Sequence, residues 1–167
     1  MLWPVCWSRN RKFIRFTDKI MTNYHLVILK KPYLDMILEG RKRIELRLYK
    51  SRHPALGRVF AGDKLFLKVS SGPVCASATV EKVKTFENLT PGRILDLKQQ
   101  YNHDIGGDDG HWQSEMDCKY CLLVWLKDVK TIEPVQIQKK DWRAWVVLTE
   151  KKDFGLLKNV VIRNLNE

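Results

Sequence analysis

Apolar and polar residues alternate cleanly along Arg43–Tyr49. Ile44, Leu46 and Leu48 fall on one face, and Arg43, Glu45, Arg47 and Tyr49 on the other. A period of two predicts a half-buried strand. Just before it, Leu34, Ile37 and Leu38 recur at i, i+3 and i+4 within Pro32–Gly40, which predicts a short helix with one apolar face. Pro32 suits the first turn, where a missing N–H is harmless, and Gly40 suits the left-handed end. Tyr24–Lys30, Lys64–Val69 and Val74–Phe86 read as further strands, separated by Pro- and Gly-containing loops and turns. Pro91–Tyr101 reads as a second helix capped by Thr90. Asn102–Ser114, rich in Gly and Asp, reads as an irregular loop. Cys118–Asp128 is a strongly apolar strand, Thr131–Ile137 and Trp142–Leu148 are later strands, and Val160–Arg163 is a weak one.

The predicted order is β-α-β-β-β-α-β-β-β. Short turns between alternating strands argue for an α+β fold, a small, curved, mostly antiparallel barrel with two or three flanking helices. Too few helices separate the strands for a doubly wound parallel sheet. With no internal repeat, one domain is expected over residues 21–150. Residues 1–20 read as a basic, disordered arm, and residues 151–167 as a C-terminal extension.

Charge changes this picture. The 167 residues carry 30 Lys and Arg against 19 Asp and Glu, a formal net charge of +11. The excess is uneven: +8 over residues 1–50 and −3 over residues 101–150. A basic protein of this size suggests a polyanionic partner, most simply nucleic acid. No apolar run approaches the about 20 residues a bilayer span needs. A cytoplasmic monomer with no metal and no cofactor is expected. The Cys118-x-x-Cys121 pair lacks the second pair or the spaced histidines of a zinc site. It reads as part of a buried strand.

The sharpest local feature is Gly40-Arg-Lys42-Arg-Ile-Glu45-Leu-Arg47. A helix stops, the chain turns, and a strand presents Glu45 and Arg47 on its polar face, with Lys42 at its start. This reads either as a solvated strand face with Arg–Glu pairs or as a cleft edge where groups of both signs crowd together. In the second case Lys42 is a candidate for phosphate contact or general acid work.

That string resembles the ASCH domain of the PUA-like superfamily. The matching residues are Pro32 and Tyr33, then Gly40, Lys42, Glu45 and Arg47, then Gly62 and Asp63, and the strand Val74–Val83. The resemblance covers about Tyr24–Leu148. It implies a PUA-like barrel that binds RNA, with Lys42, Glu45 and Arg47 lining a polar cleft beside the first helix. Similar small bacterial proteins hydrolyse acetylated cytidine and place Thr where this chain has Glu45, so that hydroxyl nucleophile is missing here. Other relatives cleave RNA, a reaction that a Lys–Glu–Arg cleft could support with Glu as base.

Aromatic residues add candidates. Tyr49 shares the polar face of Glu45 and Arg47 and is the best stacking residue. Tyr33 and one of Trp142 and Trp145 are others, with Trp145 and Trp125 expected in the core. Ser70 and Ser71 read as a tight turn or as ligand-binding hydroxyls. Asp108, Asp109 and His111 do not match a calcium loop. The expected ligand-binding set is Gly40, Lys42, Glu45, Arg47, Tyr49, Tyr33, Ser70 and Ser71, around RNA or a nucleotide. Lys42 and Glu45 are the catalytic pair if the chain is an enzyme of RNA or modified-nucleoside metabolism. A protein-interaction module is the remaining alternative.

Overall fold

A computed structural model describes residues 22–149 together with Gly155. The expected N-terminal arm, the strand at Val160–Arg163 and nearly all of the C-terminal extension lie outside the described residues.

Six strands form one sheet in the order β2-β5-β4-β3-β1-β6. They are β1 (Tyr24–Leu29), β2 (Ile44–Tyr49), β3 (Lys64–Val69), β4 (Val74–Phe86), β5 (Tyr120–Val135) and β6 (Trp145–Val147). Among the described residues only β1 and β3 pair in parallel, and every other pair is antiparallel. The sheet curls into a half-barrel flanked by three helices: α1 (Lys31–Leu38), α2 (Pro91–Ile105) and α3 (Asp109–Ser114). The result is the α+β, PUA-like architecture.

Three segments differ from the sequence expectation for identifiable reasons. Asp128 looks like a strand end but sits at φ 50° inside β5, where Lys127 pairs with Thr79 and Lys130 with Ser77. One extra β5 residue is accommodated there, so Asp128 makes a bulge that bends the strand rather than ending it. The two expected strands on either side are therefore one. Asn102–Ser114 is mostly helical instead of irregular. Gly106, at φ 71°, caps the end of α2, and Asp108 caps α3 by accepting from the His111 N–H at 2.7 Å. Asn102 stitches the two helices together: its Oδ1 accepts from Gly107 N and Trp112 Nε1, both at 2.9 Å. Composition suggested a loop because Gly and Asp are cap residues as well as turn residues.

The expected strand Trp142–Leu148 shortens to Trp145–Val147 because Asp141 binds Arg143 and holds the preceding segment in a turn. Trp145 is buried, as its place in the pattern suggests. Trp125 is only half-buried, with Lys82 and Lys84 lying over its ring at 5.0 and 5.9 Å.

The alternation of β2 decides where the site lies. Ile44, Leu46 and Leu48 pack with Ile94 and Leu97 of α2 on one side of the sheet. The opposite face, carrying Glu45, Arg47 and Tyr49, points into the hollow of the curled sheet instead of into solvent.

At the far end of β1, His25 and Asp63 form a second buried polar cluster. Asp63 Oδ1 accepts from Asn23 N at 3.0 Å, and Oδ2 accepts from Phe60 N at 2.8 Å. His25 Nε2 lies 2.9 Å from Oδ2, while Trp145 Nε1 donates to His25 Nδ1 at 3.3 Å. A ring nitrogen that accepts from an indole N–H holds no proton, so Nε2–H is the donor to Asp63.

Candidate functional site

Strand β2 is one edge of the half-barrel and β6 the other, with β1 next to β6, and across the open seam Arg47 of β2 reaches Ile28 at the end of β1. Between β1 and β2 is a cavity of about 480 Å³. Its walls come from the end of β1 (Ile28 to Lys30), from Glu45 to Tyr49 of β2, and from Tyr33 of α1. Lys42, Ser70, Ile105, Gly107, His111, Glu115 and Ala144 complete them. A volume of this order falls within the usual range for small-molecule sites, about 300–1,000 Å³.

Glu45 is 4% exposed and flanked by two cations. Its Oε2 lies 3.3 Å from Lys42 Nζ, and its Oε1 lies 2.8 Å from Arg47 Nε. Lys42 also donates to the Ile44 carbonyl at 2.8 Å and the Ile105 carbonyl at 2.9 Å. An ammonium has three protons, and all three of Lys42 are committed. Lys42 thus ties the start of β2 to the end of α2 and holds Glu45 in place. Burial pushes the Lys42 ammonium below its usual lysine range, and the Glu45 charge works against that shift.

Arg47 bridges the seam. Its Nη2 donates to the Ile28 carbonyl of β1 at 2.8 Å, and its guanidinium lies 5.9 Å from the centre of the Trp145 ring. Its Nε pairs its charge with Glu45 without a hydrogen bond in line. Beside it, the Tyr49 ring stacks on His53, with centres 4.3 Å apart and planes within 7°. The Tyr49 hydroxyl has no hydrogen-bond partner. Burial pushes the Tyr49 phenol well above its usual range, the nearby Arg47 charge opposing this. Across the cavity, Tyr33 faces His111 at 6.3 Å and lies 5.5 Å beneath the Lys42 ammonium.

Of the eight candidate binding residues, Lys42, Glu45, Arg47, Tyr49, Tyr33 and Ser70 line this one cavity. Gly40 and Ser71 do not. Gly40 adopts φ 75° just past α1 and borders a separate hollow of about 400 Å³ with Met36, Arg43 and His103. Ser71 is exposed in the β3–β4 turn. Two neighbours, His53 and Glu115, escaped sequence reasoning, and a third, His111, was weighed there only against a calcium loop. His111 and Glu115 are four apart, a helical spacing hidden by the Gly- and Asp-rich composition around them. His53 reaches Tyr49 from a loop, where no periodic signal exists.

Neither Cys118 nor Cys121 lines the cavity, although Cys118 Sγ donates to Oε2 of the wall residue Glu115 at 3.0 Å. Burial pushes both the Cys118 and Cys121 thiols up to about 12, far from the low values of reactive thiolates. Among the described residues, no group of three His, Cys, Asp or Glu is placed to hold a metal ion.

The ASCH-domain family model matches residues 27–164. The chain belongs to the ASCH-domain family. No curated protein matches it. Its fold is similar to the crystal structure of ASCH from Zymomonas mobilis, with a TM-score of 0.61 at 14% identity, over 82% of this chain and 94% of that one. Two variants of the same bacterial protein align comparably. A tyrosine-to-phenylalanine mutant gives a TM-score of 0.60 at 14% identity, over 82% of this chain and 97% of that one. A serine-to-alanine mutant gives 0.59 at 15% identity, over 80% and 93%. At such identities the likeness shows the ASCH fold alone. No helix among the described residues is long and apolar enough to cross a membrane.

His53 gives this ASCH domain a pH signature. Its imidazole is held below its ordinary value, first by burial and then by the Arg47 and Arg143 charges. The unfolded chain therefore binds more protons than the fold between the lowered value and about 6.5. Stability is expected to fall as pH drops through that window and to be flat above it. Urea midpoints measured from neutral to acid pH check this, and His53→Gln should flatten the curve.

Proposed function

We propose that this ASCH domain binds RNA or a nucleotide in the β1–β2 cavity. One observation supports the reading most. Among the described residues, the buried side-chain polar atoms without a hydrogen-bond partner are Arg47 Nε and Tyr49 Oη, and both belong to the wall of this cavity. Arg47 Nε keeps the Glu45 charge 2.8 Å away, whereas the Tyr49 hydroxyl has no partner, and leaving such a group unpaired costs about 1–3 kcal/mol. A ligand that brings oxygen acceptors, such as a phosphate or a base carbonyl, would remove that penalty. The lining holds three cations (Lys30, Lys42 and Arg47) against two carboxylates (Glu45 and Glu115), which leaves it weakly positive. Tyr33 and His111 offer ring faces for a base on the opposite wall. His53 covers one face of Tyr49, so the role of Tyr49 passes from stacking to its hydroxyl.

Tyr49→Phe is the informative variant, because it deletes an unpartnered hydroxyl and little else. Its stability should equal or exceed that of the wild type by about 1 kcal/mol. Its affinity for single-stranded RNA, read by fluorescence anisotropy, should fall about fivefold or more. Wild-type affinity should drop as salt rises. Absence of binding at low salt, or binding untouched by Tyr49→Phe and Arg47→Ala together, would overturn the reading.

A catalytic use of the same cavity rests on Lys42 and Glu45. Burial makes the Lys42 ammonium a stronger acid than a surface lysine, as general acid catalysis requires. Turnover of RNA or acetylated cytidine that is lost in Glu45→Gln would support it.

A further inference from the structure

The segment between β5 and β6 carries the most exposed large apolar side chain among the described residues. Trp142 is 101% exposed, whereas Trp112 and Trp145 are buried. A tryptophan wholly in water contributes nothing to the core, so the fold itself does not account for it. Its position is nevertheless built. Asp141, directly before it, accepts from Arg143 N at 2.9 Å and from Arg143 Nη2 at 2.7 Å, and it also pairs with Lys139. Trp142 therefore sits at the tip of a braced turn.

That turn borders the cavity. Ala144 lines the cavity, and its carbonyl accepts from Ile28 N at 2.9 Å. Two residues of extended chain span only about 7 Å, which bounds the distance from Ala144 to Trp142. Beside the turn, Lys139 lies close enough to Lys68 for its charge to lower the Lys68 ammonium, after burial. In sequence Lys139, Lys140 and Arg143 flank Trp142 against the one carboxylate of Asp141; Lys139 and Arg143 pair with that carboxylate and Lys140 is exposed beside the ring's own residue.

Resting on the cavity reading above, we infer that Trp142 is a stacking platform for single-stranded RNA leaving the cavity. One nucleotide occupies the cavity, the next base lies on the indole, and the exposed Lys140 meets the phosphate chain. A ring interleaved with cations is the surface that tracks a polyanion with exposed bases. A protein partner would call for a broader apolar patch with few charges at its centre.

The test compares wild type, Trp142→Ala and Trp142→Phe for binding of uridine monophosphate and of a fluorescein-labelled oligouridylate. Since the side chain is fully exposed, each variant should fold with an unchanged urea midpoint. Oligouridylate affinity should fall about 5- to 100-fold in Trp142→Ala and be partly kept in Trp142→Phe. Uridine monophosphate affinity should stay the same in all three. Oligouridylate binding unchanged in Trp142→Ala would overturn the platform and leave the cavity reading standing. Trp142-dependent binding of oligouridylate with no binding of uridine monophosphate would uphold the platform and overturn the cavity reading. Absence of both bindings in the wild type would overturn both.

Discussion

Lys42→Met is expected to cost about 3–5 kcal/mol of folding stability, the loss typical when one member of a buried charge cluster is removed. The ammonium supports two backbone carbonyls, of Ile44 and Ile105, and one oxygen of Glu45. Methionine fills the space but donates nothing. Glu45 is then left with Arg47 on one side only, and the end of α2 loses its tie to β2. Guanidinium does not restore the arrangement, because a planar fork cannot point three protons at three acceptors around a single atom. Lys42→Arg should therefore stay destabilised. Adding Glu45→Gln to Lys42→Met should cost less than the sum of the two single changes, since the orphaned carboxylate disappears. Urea denaturation of the four variants checks this. A loss under about 1 kcal/mol for Lys42→Met would show that the cluster is not a structural unit.

Asp63→Ala is expected to be at least as damaging. One carboxylate accepts from Asn23 N, Phe60 N and His25 Nε2, and its residue is 2% exposed. Alanine leaves one buried donor, His25 Nε2, and two partly buried ones, Asn23 N and Phe60 N, unpaired, where a fully buried orphan costs about 1–3 kcal/mol. A loss of about 3–6 kcal/mol would take much of the about 5–15 kcal/mol that a domain has in total. Asp109→Ala is the control. Asp109 is 95% exposed at its side chain and pairs with Lys98, so its loss should hardly register. Thermal and urea midpoints of the two variants should separate widely. Equal midpoints would contradict the hydrogen-bond assignment.

Asp63 also shows where reading a sequence stops. Gly62-Asp63 was legible as a turn before β3 and as part of the ASCH resemblance. Its pairing with His25 was not, because 38 residues separate them and only the parallel β1–β3 register brings them together. The strand pattern of Arg43–Tyr49 was legible because alternation reports local geometry. What the polar face of β2 meets was not, since that depends on how far the sheet curls. The register shifts along β3, β4 and β5, the Asp128 bulge among them, break the ladder at points that no periodic pattern marks. Lys42, Glu45 and Arg47 were found through spacing, but the spacing did not show that every Lys42 proton is used internally. Glu115 lines the cavity and His53 stacks on Tyr49 through tertiary packing, and neither carried a signal of its own, while His111 was legible only as a member of the Gly- and Asp-rich segment.

The central claim is that ligand enters the cavity between β1 and β2. Backbone amide chemical shifts, followed during titration with uridine monophosphate, test it most directly. The account predicts that the largest changes fall on Ile28–Lys30, Glu45–Tyr49 and Ser70, with little change at Lys82, Lys84 and Trp125 on the outer face. Changes confined to that outer face, or none at saturating nucleotide, would contradict it.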